Sequence, residues 1–435
     1  MKKREDFIAQ MKECTVVDCH SHTTAPQRYY AEGPYDLFSL TSYFDRDLAG
    51  LTDLQALAAC GTDEEKWAIY KAALDKGRNV SFWRHNILTY QRYFGLQDDE
   101  LTDANWRAVN SAIRTNTADP DWYDYVSRRA PNIKTQIRNI PWFDDWAIRD
   151  LVTATDETIR TAQWVTDWDK RYFTATLRME YALYLWRVPM VEQVSAFTQT
   201  PIHDLKSLKL ALSRLVDRYV IQGIIGLKSC HAYFRTLECS PVDETAVASI
   251  FARALKGETL TDGERRQFED CMVRWMLDFC REKGLLFQIH TGMQHCFADV
   301  SHSNPLHLTP LLQEYRDVPF DIFHAGMPYI HEFGILCKLF PNAYANFAWT
   351  YVISPAMARA ALSQCIDLVP GNRILAFGSD VKFPELIGSH LDMAFSCVGD
   401  VLEEKIRRDF LSEQEADALI RKMFTDNAHE LYRLT

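Results

Sequence analysis

CTVVDCHSH (residues 14–22) holds a β-branched run that ends in two histidines, His20 and His22, two residues apart. Such a run reads as a buried strand whose C-terminal end carries polar groups. Side chains at i and i+2 of a strand point the same way, so both imidazoles can reach one metal ion. An HxH pair alone is often incidental, and its weight here comes from recurrence. An apolar run followed by reactive residues returns at IIGLKSCH (224–231), LLFQIHTG (285–292), FDIFHAG (320–326), AYANFAW (343–349) and RILAFGSD (373–380). IKTQIRN (133–139) and YFTATLRM (172–179) complete a set of eight strand candidates.

Helical patterns lie between the later strands, at 242–255, 265–283 closed by Gly284, 306–315, 330–340 and 355–368. Alternation of strand and helix favours a parallel sheet, and eight such units predict a closed (β/α)8 TIM barrel of the α/β class. Chemistry in these barrels sits at the C-terminal ends of the strands. His20, Lys228, His290, His324 and Asp380 all fall there. The stretch 24–171 is too long for one loop and is rich in Trp, Tyr, Asp and Arg. It reads as a large, mostly helical insertion near the N-terminus, with helices at 53–59, 63–75, 103–115 and 121–129 and one early barrel strand, capping the active site. The expected division is therefore 1–23 for the first strand and its HxH motif, 24–171 for the insertion and 172–435 for the rest of the barrel.

Composition narrows the function classes. The 435 residues carry 48 Lys+Arg against 59 Asp+Glu, a net charge of −11, with 47% hydrophobic residues, as in an ordinary globular protein. An acidic balance offers no basic field to a polyanion, which argues against nucleic acid and anionic membranes as partners. The 11 cysteines form no CxxC pair, so neither a disulfide framework nor a zinc ribbon is expected. The N-terminus has no apolar stretch after its basic start, and no run reaches the length of a membrane span. A cytoplasmic protein is the expectation.

HxH, H, H and D at successive strand ends make an N/O donor set suited to zinc, with one position left to water in a catalytic site. In this order the residues resemble the amidohydrolase superfamily, in the branch of amidohydrolase-type decarboxylases, lactonases and uronate isomerase relatives. GLKSCHAYFRTL, FQIHTG, SNPLHLTPLL, HAGMPYIHEFG, FPNAYANFAW and GSDVKFPE are similar, more narrowly, to the amidohydrolase domain found fused to glutamine-synthetase-like domains.

The resemblance implies that His20, His22, His290 and Asp380 surround a divalent metal, zinc first with manganese or iron as alternatives, as one or two ions. It makes Asp380 the proton carrier for an attacking water and His324 the group that faces the substrate's carbonyl. Lys228 is either a carboxylated bridge between two ions or a buried cation, paired with a carboxylate or binding substrate. Arg178 and Arg235 can hold a substrate carboxylate or serve structural ion pairs, and Tyr233, Trp349 and Tyr351 can line a pocket or the core. His231, His295, His302, His307 and His331 lie near the site segments without occupying ligand positions. The implied activity is a metal-dependent hydrolase that opens an amide or lactone bond of a small carboxylated substrate. A uronate isomerase-like or decarboxylase reaction on the same site is the alternative, and a non-catalytic relative is third. Superfamily barrels often associate through their outer helices, so a homo-oligomer is among the expectations.

Overall fold

The computed structural model describes residues 2–144, 153–294 and 298–434. Eight parallel strands follow one another in chain order around a nearly closed sheet: β1 (Val16–Ser21), β2 (Ile133–Ile140), β3 (Phe173–Arg178), β4 (Gly226–Ser229), β5 (Leu286–Ile289), β6 (Phe320–Ile322), β7 (Ala343–Asn346) and β8 (Ile374–Leu375). This is the (β/α)8 TIM barrel expected from the sequence.

By internal packing the chain divides into two units. The described residues up to Gln136, with Asn346–Asp367 and Ile374–Ala428, form the first; Ile137 to Ala345, Leu368–Arg373 and the residues from His429 form the second.

In the first unit, all six residues of β1 are buried. The Cys19 N–H donates to Phe377 O at 3.0 Å and the Asp380 N–H to His20 O at 2.8 Å, which ties β1 to the segment after β8. β8 itself spans two residues, shorter than its apolar run, because the Ala376 N–H turns away to donate to Met423 O at 3.0 Å. Gly378 is required by crowding: a Cβ there would stand 2.6 Å from Ala348 Cβ and 3.0 Å from the His20 nitrogen. The region after β1 is helical, with Pro26–Glu32, Phe44–Leu51, Leu54–Ala59, Asp63–Gly77, Ser81–Tyr93 and Trp106–Thr117. Ser81–Tyr93 has no counterpart in the sequence reading, because its buried face mixes Trp83 and Ile87 with His85, Asn86 and Thr89. Two of those polar groups meet the helix Glu385–Arg407, where His85 Nε2–H donates to Leu386 O at 2.8 Å and the Thr89 and Ser389 hydroxyls lie 2.5 Å apart, while Asn86 accepts the Ser42 N–H at 2.8 Å.

In the second unit, β3 to β7 pair in parallel, and the register sets Arg178 beside Lys228 and Lys228 beside Gln288. Every residue of β4 and β5 is buried, as a sheet covered on both faces demands. Asp262–Lys283 is the long helix that returns the chain to β5, capped by Thr261 and Glu264 and closed at Gly284.

Past β6, β7 and β8 the backbone passes through left-handed non-glycine residues, His324 (φ 68°), Trp349 (φ 66°) and Asp380 (φ 51°). Among the described residues no helix is long and apolar enough to cross a membrane.

Candidate metal centre

β1 and the β8 turn bring three of the expected site residues together. His20 Nε2 lies 3.4 Å and His22 Nε2 3.3 Å from the same atom, Asp380 Oδ1. The two rings meet edge to face with centroids 4.7 Å apart. His20 and Asp380 are almost fully buried, whereas His22 is partly open to solvent. Two imidazole nitrogens aimed at one carboxylate oxygen is the arrangement of borderline N/O donors that a divalent ion takes.

Around this trio stand groups the sequence reading did not single out. The Tyr43 hydroxyl donates to Asp380 O at 2.7 Å and lies 3.4 Å from Asp380 Oδ1. Asp18 is fully buried and accepts the Ser379 N–H at 2.7 Å, the Ser379 hydroxyl at 2.5 Å and the His20 N–H at 3.3 Å. Burial pushes its carboxyl up to about 7 against those three bonds, which pull it down. His390 Nδ1–H donates to Ser379 O at 2.9 Å. Asp18 had a signal, since it sits two residues before His20 on the same strand face. Tyr43 had none, because it lies in a loop 337 residues from its partner.

The ends of β5 and β6 bring together His290 and His324. His290 Nε2–H donates to Met293 O at 3.0 Å, since a carbonyl can only accept. Its Nδ1 then accepts from His324 Nε2 at 3.0 Å. His290 thus engages one nitrogen in its own loop and the other with His324 after β6, and it ligates an ion only by exchanging one of these bonds. In the first unit, His20 and Asp380 are buried members of a candidate metal-holding group. Gly292 (φ 74°) leaves no room for a side chain beside His290, because a Cβ would lie 2.3 Å from Met327 O. The Tyr233 ring packs 4.7 Å from the His290 ring.

The candidate cations are engaged within the fold. Lys228 is fully buried with Nζ 3.4 Å from the centroid of the Phe323 ring, a cation–π contact. Arg178 Nε donates to Glu180 Oε1 at 2.6 Å, and Glu180 is buried. Arg235 donates to Asp270 at 2.6 Å, Glu269 at 3.2 Å and Glu238 O at 2.7 Å, a network that holds the loop after β4 against the helix Asp262–Lys283.

The remaining candidates serve local structure. His231 shares a 2.7 Å bond with the Ser229 hydroxyl, His307 one of 3.1 Å with Ser301 O, and Tyr351 donates to Ala376 O at 2.8 Å. The Trp349 ring packs 4.6 Å from Tyr43. His302 is 3.6 Å from Asp299, His331 lies on the helix Ile330–Leu339, and His295 lies outside the described residues.

Close to this centre is a histidine whose titration is measurable. Burial holds His85 down at about 4, so it is neutral in the folded protein, while its unfolded counterpart takes up a proton near 6.5. A depressed base costs stability as pH falls. Between pH 6.5 and 4 this one group is expected to remove up to about 3 kcal/mol. Urea titrations across that window should therefore give a steeper loss for the natural chain than for His85→Gln, and parallel slopes would exclude the assignment.

A family model described as Amidohydrolase matches residues 254–434. Protein fluG of Emericella nidulans is 25% identical over 230 residues, which are 50% of this chain and 26% of that protein, so the match spans about a quarter of the relative's length. Residues 254–434 are thus similar to the amidohydrolase family. The fold of the chain is shared with a uronate isomerase of Thermotoga maritima (TM-score 0.77, 14% identity, 99% of this chain and 98% of that one). A glucuronate isomerase of Caulobacter crescentus matches as well (TM-score 0.77, 17% identity, 99% and 94%). So does a Lactobacillus casei protein provisionally described as a metal-dependent hydrolase (TM-score 0.66, 18% identity, 100% and 98%). The family match over residues 254–434 accompanies a candidate metal-holding group to which the buried His20 and Asp380 contribute.

Proposed function

We propose that this barrel is a metal-dependent hydrolase that opens the amide or lactone bond of a small carboxylated substrate. The observation that carries the reading is the convergence of His20 and His22 on Asp380 Oδ1 at 3.4 and 3.3 Å. His20, His22 and Asp380 would hold the ion, zinc first among the candidates. When bound, a divalent ion supplies Lewis-acid polarisation and lowers the pKa of water. Asp380 takes the proton of the attacking water and returns it to the leaving group. Tyr43 holds that carboxylate in place through the main chain of the same residue. His324 supports the developing charge on the substrate oxygen. Arg178 and Tyr233 line the substrate side, and Lys228 serves as a cation there or, if carboxylated, as a bridge between two ions. Residues 24–171 contribute Tyr43, which supports the view of this region as a cap. A cytoplasmic enzyme, acting alone or as a homo-oligomer, fits this chemistry.

A second reading, isomerisation of a sugar acid, is favoured by the fold match to uronate and glucuronate isomerases over 99% of this chain, helical region included. One experiment separates the two. Protein purified without chelators or a histidine tag is assayed for metal per chain, then given γ-glutamyl amides, N-acyl amino acids, lactones and uronates. Released acid or amine is the expected result. Uronate interconversion with no hydrolysis would establish the second reading, and a chain that takes up no metal would exclude both. Two ions per chain would assign Lys228 as the bridge, one as a substrate-side cation.

A further inference from the structure

We propose that Asp18 is a positioning residue for the metal ligands, a single buried carboxylate that fixes the separation between strand β1, which bears His20, and the turn after β8, which bears Asp380. The inference rests on the metal reading of this site and goes beyond it by assigning what sets the geometry of the donors.

Three observations carry it. Asp18 bonds to both ligand-bearing segments at once: one oxygen accepts the His20 N–H at 3.3 Å and the Ser379 N–H at 2.7 Å, and the other accepts the Ser379 hydroxyl at 2.5 Å. The turn it holds is one the backbone resists, because Asp380 follows directly with φ 51°, a left-handed conformation disfavoured for a residue with a side chain. The clamp has little slack, since a Cβ at Gly378 would stand 3.0 Å from the His20 nitrogen, and His390 pins Ser379 O at 2.9 Å. Asp18 does not touch the donors' side chains. It orients them through the main chain, as partners behind a metal site orient its ligands, where removal of one such partner typically costs about 10–100-fold in metal affinity.

The test is zinc affinity of the full chain, stripped of metal and titrated against a chromophoric chelator, with thermal melting of the metal-free protein measured alongside. Asp18→Asn keeps the volume and one acceptor but sets an NH2 either against the Ser379 hydroxyl or against the two N–H groups, so the carboxylate's three bonds cannot all be kept. Ser379→Ala removes only the hydroxyl bond. Asp18→Asn is expected to weaken zinc binding about 10–100-fold and Ser379→Ala by a smaller factor, on the order of 10. Thr89→Val, which breaks a buried bond elsewhere in the same unit, should lower the melting temperature and leave zinc affinity within twofold. A merely structural role for Asp18 predicts that all three behave like Thr89→Val, and that result overturns the inference while leaving the metal site intact. If Asp18→Asn does not fold, Ser379→Ala decides alone, and affinity equal to the natural chain is the overturning result. A natural chain that binds no zinc, manganese or iron removes the site reading and this inference with it.

Discussion

Asp380→Asn is expected to retain most of its metal and lose at least about a thousandfold in turnover on whichever substrate the panel identifies. The amide oxygen still presents a neutral donor to an ion flanked by two imidazoles, and Asn tolerates the left-handed φ of this position better than most residues. What the amide cannot do is accept a proton. The carboxylate sits where His20, His22 and the Tyr43 hydroxyl all reach it within 3.4 Å, so no neighbouring group takes over the transfer without leaving its own place. Metal analysis and steady-state rates on the same preparation check the claim. Loss of metal in parallel with activity would make Asp380 a ligand only. Unchanged kcat would remove it from the chemistry.

His22→Ala carries the other large effect, on metal content. A ligand at a strand end cannot be replaced by a neighbour, because His20 is held by β1 and the next residues turn away. Loss of one donor is expected to weaken binding by at least about 100-fold, the upper end of what second-tier partners cost. His22 is a third exposed at its side chain, so its truncation leaves no buried cavity and the fold should survive. Elemental analysis after gel filtration, with circular dichroism as the fold control, reads the result. Metal content equal to the natural chain in a folded His22→Ala protein would sink the proposed ligand set.

The barrel was legible because each strand is an apolar run that stops at a reactive residue, a pattern dictated by a sheet buried on both faces with its chemistry at one rim. The pattern locates the rim residues but says nothing of what their side chains already hold. Arg235 and Arg178 read in the chain either as holders of a substrate carboxylate or as structural ion pairs, and only the fold supplies Asp270, Glu269 and Glu180 as their partners. His290 read as a ligand, and its bonds to Met293 and His324 depend on a local turn that Gly292 makes possible. Tyr43 could not be found from spacing, since its place beside Asp380 is a property of the helical region's path. The helix Ser81–Tyr93 escaped for a related reason: two of its polar residues are buried against Glu385–Arg407, where a periodicity argument assigns them to solvent.

The left-handed residues past β6, β7 and β8 bear on how any mutational scan of this rim must be scored. At His324, Trp349 and Asp380 the reference substitution is not alanine, which inherits the full backbone penalty, but glycine, which relieves it. A library selected for stability alone will enrich Gly and Asn at these positions whatever the side chains do. Chemistry at the rim is read from the difference between each variant and its glycine counterpart.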